Sequence, residues 1–268
     1  MPLNQINPET TNYARQMVME RGALPKGVLR GDIEASWNRC LDLGLKLDQK
    51  LDLCSMESPR VTELQDRNHR LISSSIPEME SLCRHFGERD CMVILCDAEA
   101  TILKSFGESH FLDKAARYSL MPGTSWQEPQ AGTNALGTVL KQHKPILIQG
   151  GEHYFEAIGG FSCSAAPIFD PSGKIAGVLD VTSENSLGSC HNLGLVSMSS
   201  RLIESRLFID QYREQVLVSV HNRPEFVDSL WQGLLAFSAD GQLLAMNREA
   251  AECLGLSPAD VGTQHFEK

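Results

Sequence analysis

Hydrophobic and polar residues alternate along the 268-residue chain in several distinct rhythms. "PETTNYARQMVMERG" predicts a first helix, closed by Gly22. "LRGDIEASWNRCLDLGL" predicts a second, with Asp32 able to cap it and Ile33, Trp37, Cys40 and Leu41 along one side. The run from Ser58 to Gly87 predicts a helix with Ser58 as N-cap and Pro59 at its first position. Val61, Leu64, Asn68, Leu71 and Ser75 follow heptad-like spacing there, and Pro77 should break or kink it. Asn68 is either a register residue of a coiled coil or part of a solvated face.

The chain then becomes β-rich. "CMVILCD" and "TILKSFG" predict a hairpin around "AEA". "AGTNALGTVLKQHK" predicts a short helix ended by Pro145, and "PILIQG" a strand. "FSCSAAPIFD" and "KIAGVLDVTSE" predict two strands around the turn "DPSG", with Pro167 weakening the first as a central strand. In the second strand Asp180 shares a face with Ala176, Val178 and Thr182. From Ser189 to His221 no proline occurs, and Leu195, Met198, Leu202 and Ile209 form one stripe. About 30 helical residues would span roughly 45 Å, which suggests a connecting or dimerising helix. "GLLAFSADGQLLAMNREAAECLGL" closes the chain as strand, Asp-Gly turn, strand and helix, a unit cut short. These rhythms predict an α+β fold, an antiparallel sheet flanked by helices.

Composition narrows the function. A net charge of −10 argues against a chain that grips nucleic acid by itself. No apolar run approaches the roughly 18 residues of a membrane span, and no signal peptide opens the sequence, so a cytoplasmic location is expected. Eight cysteines are scattered without a CxxC and are expected to be reduced thiols.

The stretch "WQEPQAGTNALGT" mixes bulky, small and polar residues too closely for a plain helix face. If residues 133–142 are helical, Asn134 and Thr138 lie on one face, and Gly132 and Gly137 allow close backbone approach. Trp126 and Glu128 stand upstream. This composition suits a pocket for a small polar molecule. The same residues could instead cap turns and fill a core.

Together "SWNRC", "WQEPQAGTNALGT", "GGEHY", "CSAAPIFDPSGKIAGVLDVT" and "GLLAFSADGQLLAMNREA" resemble the sensory half of acetoin-catabolism-type and dihydroxyacetone-operon-type transcriptional activators. These are sigma-54-dependent proteins with a GAF domain and often a PAS domain. The resemblance implies an N-terminal helical segment (1–57), a helix leading into the GAF domain (58–87), and the GAF domain itself (88–189). A connecting, dimerising helix (190–222) and a truncated PAS-like domain (223–268) would follow. It implies an effector pocket of Trp126, Glu128, Thr133, Asn134, His153, Tyr154, Phe161, Cys163, Ser164 and Asp180, holding a short diol, hydroxyketone or alcohol. A regular strand would turn only one of Cys163 and Ser164 toward it.

The family's ATPase and helix-turn-helix regions have no counterpart here, since no G-x-x-x-x-G-K-[ST] loop occurs. ATP, magnesium, DNA and sigma-54 polymerase would therefore belong to other regions. This chain is expected to need no cofactor, to form a parallel homodimer and to catalyse nothing. Two alternatives stand beside it. A metal or gas sensor would use His143, His153 and Cys163, whose spacing fits no compact zinc motif. A GAF-type methionine sulfoxide reductase would use a cysteine pair, but Cys91 and Cys96 fall on opposite strand faces.

Overall fold

The computed structural model describes residues 8–86, 91–184 and 189–265. The chain divides into two compact units, Met1–Pro167 with Gly177–Ser197, and Ile168–Ala176 with Met198–Lys268.

The first unit opens with α1 (Pro8–Arg21) and α2 (Gly31–Asp42). Ala14, Val18, Ile33 and Trp37 share one buried core with Met92 and Ile94 of the sheet. The next helical stretch is two helices, α3 (Ser58–Arg67) and α4 (His69–Phe86). Glu57, not Ser58, is the N-cap, and Pro59 lies in the first turn. Pro77 sits inside α4 without ending it. The interruption falls at Asn68, whose amide turns back to the Leu64 carbonyl at 2.9 Å. The expected stop at Gly87 lies outside the described residues.

Next come β1 (Cys91–Asp97), β2 (Ile102–Gly107), α5 (Ser109–Ala116), α6 (Glu128–Ala131), α7 (Ala135–Gln142), β3 (Ile146–Gln149), β4 (Ser162–Phe169) and β5 (Ile175–Ser183). The five strands form one sheet in the order β2-β1-β5-β4-β3. β1 pairs antiparallel with β2 and β5, and β3 with β4. This is the α+β arrangement, an antiparallel sheet flanked by helices, that the sequence led us to expect. α4 covers one face against β1 and β2. There Gly177 is required: a Cβ would lie 2.2 Å from the Cys96 carbonyl oxygen and 2.9 Å from Leu71. The N-terminal helices, α5 and α7 share the core on the other face. Pro167 is tolerated in β4 because β3 pairs only from Ser162 to Ala165, so the proline lies beyond that ladder.

α8 (Ser189–Gln211) is shorter than expected. Its 23 residues span roughly 35 Å. The segment expected to continue it is instead β6 (Val216–Val220), followed by β7 (Gly233–Phe237), β8 (Leu243–Met246) and α9 (Arg248–Leu254). In "VLVSV" the β-branched Val216, Val218 and Val220 recur with period two, the strand signal that the absence of proline obscured. In this second unit β6, β7 and β8 form an antiparallel sheet, and α9 packs on β7.

Candidate functional site

The stretch from Trp126 to Thr138 folds as two short helices around a tight turn. Gly132 adopts φ 61°, and a Cβ there would meet Tyr154 at 2.8 Å. Asn134 is not inside a helix: its extended backbone makes it the N-cap of α7. Its Oδ1 accepts from the Gly137 amide at 2.9 Å, and its Nδ2 donates to the carbonyls of Trp126 (2.9 Å) and Gly132 (2.8 Å). The expected shared face of Asn134 and Thr138 therefore does not form.

Thr138 faces the other way, into a buried polar strut. Glu128 accepts two bonds from Arg39 of α2, both at 2.7 Å. Its Oε1 also accepts from Ser36 (2.6 Å) and Thr138 (2.9 Å). Ser36 lies 2.7 Å from the Thr133 hydroxyl. Glu128 and Thr133 thus tie α2 to α6 and α7 and do not line the cavity. Tyr154 is likewise spent on packing, edge-on to Trp37, with its hydroxyl donating to the Leu45 carbonyl at 2.7 Å.

A cavity of about 20 Å³ lies between the sheet and these elements. It exceeds the ~10–15 Å³ that one buried water needs. Its wall includes six of the ten residues expected from the sequence: Trp126, Asn134, His153, Phe161, Cys163 and Asp180. Cys163 lines it and Ser164 does not, as strand alternation requires. The wall is completed by Ile94, Leu120, Ala135, Leu136, Ile158 and Thr182, which the sequence did not point to. Thr182 was within reach of sequence reasoning, since it shares the Asp180 face of β5. Leu120 and Ile158 sit in irregular segments with no periodic signal.

The floor of the cavity is a chain of buried polar groups. Thr182 Oγ1 donates to Asp180 Oδ2 at 2.6 Å. Cys163 Sγ lies 3.3 Å from the same hydroxyl. Asp180 Oδ1 is buried with no hydrogen-bond partner. Burial pushes the Asp180 carboxyl up to about 7, despite the Thr182 bond that acts to lower it. Burial also holds His153 down to about 4, with a smaller push in the same direction from Arg15. The imidazole is therefore neutral, and its Nδ1 lies 3.1 Å from the Gly150 carbonyl oxygen. Arg15 of α1 holds this loop from outside, donating to the carbonyls of Gly151 (3.2 Å) and His153.

Burial raises the thiols of Cys40, Cys96 and Cys163, which disfavours the nucleophilic thiolate. Among the described residues no group of three His, Cys, Asp or Glu side chains is placed to hold a metal ion. His143 caps the end of α7 at φ 57°, while His153 lies in the cavity wall. No helix of the described residues is long and apolar enough to cross a membrane.

Known proteins resemble this chain over most of its length. It is 32% identical over 214 residues to the acetoin dehydrogenase operon transcriptional activator AcoR of Bacillus subtilis, covering 76% of this chain and 34% of that protein. It is 28% identical to the acetoin catabolism regulatory protein of Cupriavidus necator, over 88% of this chain and 37% of that protein. It is 26% identical to the propane 2-monooxygenase operon transcriptional activator MimR of Mycolicibacterium smegmatis, over 96% of this chain and 43% of that protein. The chain thus spans about a third of the length of the first two relatives. Among solved structures, the E. coli DhaR(N)–DhaL complex matches with a TM-score of 0.65 at 17% identity, covering 88% of this chain and 80% of that one. That likeness is one of fold. Residues 7–200 match the family described as MimR, N-terminal domain, and the chain belongs to that family.

Proposed function

We propose that this chain is the effector-sensing region of a sigma-54-dependent transcriptional activator, and that its effector is a small polar metabolite bound in the cavity above β5. One observation carries the reading. Asp180 Oδ1 is a buried polar atom left without a partner in a residue of the cavity wall. Leaving such a group unpaired costs roughly 1–3 kcal/mol, and a ligand hydroxyl would recover it. The cavity's small volume favours a molecule of few heavy atoms. At a ceiling of about 1.5 kcal/mol per atom, such a ligand must engage nearly every atom it has.

In this reading the chain neither catalyses nor touches DNA, and the ATPase and DNA-binding work belongs to other regions of the regulator. Signal transfer requires that the effector prefer one of two arrangements, since equal affinity shifts nothing. A parallel homodimer supplies those arrangements. Met198 and Ile209 are exposed on one stripe of α8 and offer an apolar contact line. The second unit is read as the start of a PAS-like domain.

The test is a thermal-shift screen of short alcohols, diols, hydroxyketones and ketones against residues 1–268, followed by calorimetry on Asp180→Asn. A ligand at a hundredfold its dissociation constant should stabilise the fold by about 2.7 kcal/mol. Binding that Asp180→Asn leaves unchanged places the effector elsewhere. No response to any compound removes the small-metabolite reading.

A further inference from the structure

The cavity's polar groups are arranged with a consistent direction. Both hydrogens of the Asn134 amide are given to the carbonyls of Trp126 and Gly132. Trp126 Nε1 gives its hydrogen to the Ser119 carbonyl at 3.2 Å. Thr182 gives its hydrogen to Asp180, so the nearby Cys163 can meet that hydroxyl only as donor, through its S–H. His153 Nδ1 faces a carbonyl oxygen, which can only accept, so Nδ1 carries the hydrogen of the neutral ring. Above the pH near 7 at which Asp180 titrates, every polar side chain of the wall has therefore spent its hydrogens on the protein. What these side chains still offer is lone pairs, first among them that of the unpartnered Asp180 Oδ1.

We propose that the effector is recognised by a hydroxyl hydrogen that it donates to Asp180, and that molecules able only to accept hydrogen bonds are rejected. This inference rests on the reading of the cavity as the effector site. Charge narrows the class further. The Asp180 carboxylate opposes an anionic ligand. The Arg15 guanidinium, held behind His153 on the loop carbonyls, opposes a cationic one. A neutral hydroxylic molecule is left. An acceptor-only isostere leaves Asp180 Oδ1 unpaired and adds a second unpaired oxygen in the same dry space.

The experiment holds the carbon skeleton constant and changes only the hydrogens. Diacetyl has two carbonyls, acetoin has one hydroxyl, and the corresponding vicinal diol has two. Each is titrated by calorimetry, at a pH of about 8.5 where Asp180 is ionised, into residues 1–268 and into Asp180→Asn, with circular dichroism confirming that the variant folds. The expected order is diol at least as tight as acetoin, with diacetyl about ten- to a hundredfold weaker than acetoin. The asparagine amide can donate as well as accept, so Asp180→Asn should weaken the diol and strengthen diacetyl relative to wild type. Diacetyl binding as tightly as acetoin overturns the inference while leaving the cavity reading intact. Binding of all three that Asp180→Asn does not alter overturns the cavity reading itself. Should none bind, the screen of other alcohols and ketones decides: a ketone hit without an alcohol hit overturns the inference.

Discussion

Thr182 and Asp180 stand two residues apart on one face of β5, and the hydroxyl of the first donates to the carboxyl of the second at 2.6 Å. The bond acts to lower the Asp180 carboxyl against the larger effect of burial. Thr182→Val keeps the shape and removes the donor. Asp180 should then titrate about one pH unit higher, read by carbon NMR of the carboxyl. Ligand affinity at neutral pH should fall with it, because less Asp180 is ionised. An unmoved titration would mean that the hydroxyl does not support the charge.

Asp180 also sets a pH dependence. Its carboxyl titrates near 7 in the fold, against an ordinary value of 3.8. Between those values the folded state holds the extra proton, so this group's contribution to stability falls as pH rises from about 4 to 7 and is flat above. Glu204, raised by burial to about 7, acts in the same direction in the second unit. His153 acts oppositely: lowered from 6.5 to about 4, it adds stability as pH rises between those values. Asp180→Asn should gain on wild type by roughly 2–4 kcal/mol across pH 4–7, measured by urea unfolding at each pH. A constant difference across that window would count against the buried carboxyl.

The Arg39–Glu128 strut should matter for stability and little for affinity. Glu128 is 1% exposed in its side chain and Arg39 35%. Removing Arg39 leaves a buried carboxylate without its cation, a loss of about 3 kcal/mol, the low end for such pairs because Arg39 is partly solvated. Arg39→Ala should therefore unfold earlier in denaturant yet bind the effector with unchanged affinity. Weakened binding at full stability would return Glu128 to the site.

Trp126 serves both core and cavity, so its truncation cannot separate the two roles. Trp126→Ala should cost about 3–5 kcal/mol of stability. Trp126→Phe retains most of the packing and loses the bond to the Ser119 carbonyl. It should fold with a smaller loss and still bind the effector within about tenfold. Abolished binding in a folded Trp126→Phe would show that the indole itself touches the ligand.

Gly137 lies inside α7, where alanine would ordinarily gain about 1 kcal/mol. Here a Cβ would lie 2.8 Å from the Trp126 carbonyl oxygen and 2.9 Å from the Glu128 amide nitrogen. Gly137→Ala should instead destabilise by about 1–3 kcal/mol. Gly194 of α8, with open space around it, is the control and should gain about 0.5–1 kcal/mol as alanine. Equal melting shifts for the two would refute the close approach.

The sequence by itself determined the element types wherever a period ran uninterrupted. β1, β2, β4, β5 and α7 follow from alternation, turn residues and capping, because these are local effects that each segment carries alone. It also put Asp180 and Thr182 on one face, and Cys163 and Ser164 on opposite faces, since strand geometry allows nothing else. It could not decide what each polar residue faces. Glu128 and Asn134 were equally plausible in a pocket until α2 brought Arg39 and Ser36 against the first and left the second, the cap of α7, in the cavity wall. Pro77 reads as a breaker, yet the helix continues through it, and Asn68 interrupts the stretch instead. The strand at Val216–Val220 was hidden in a run that lacked proline, because its pairing partner β7 lies 13 residues further along the chain. Above all, only the tertiary structure could show an unpaired Asp180 oxygen. Whether a buried donor or acceptor has a partner depends on which segments meet, and no local pattern records that.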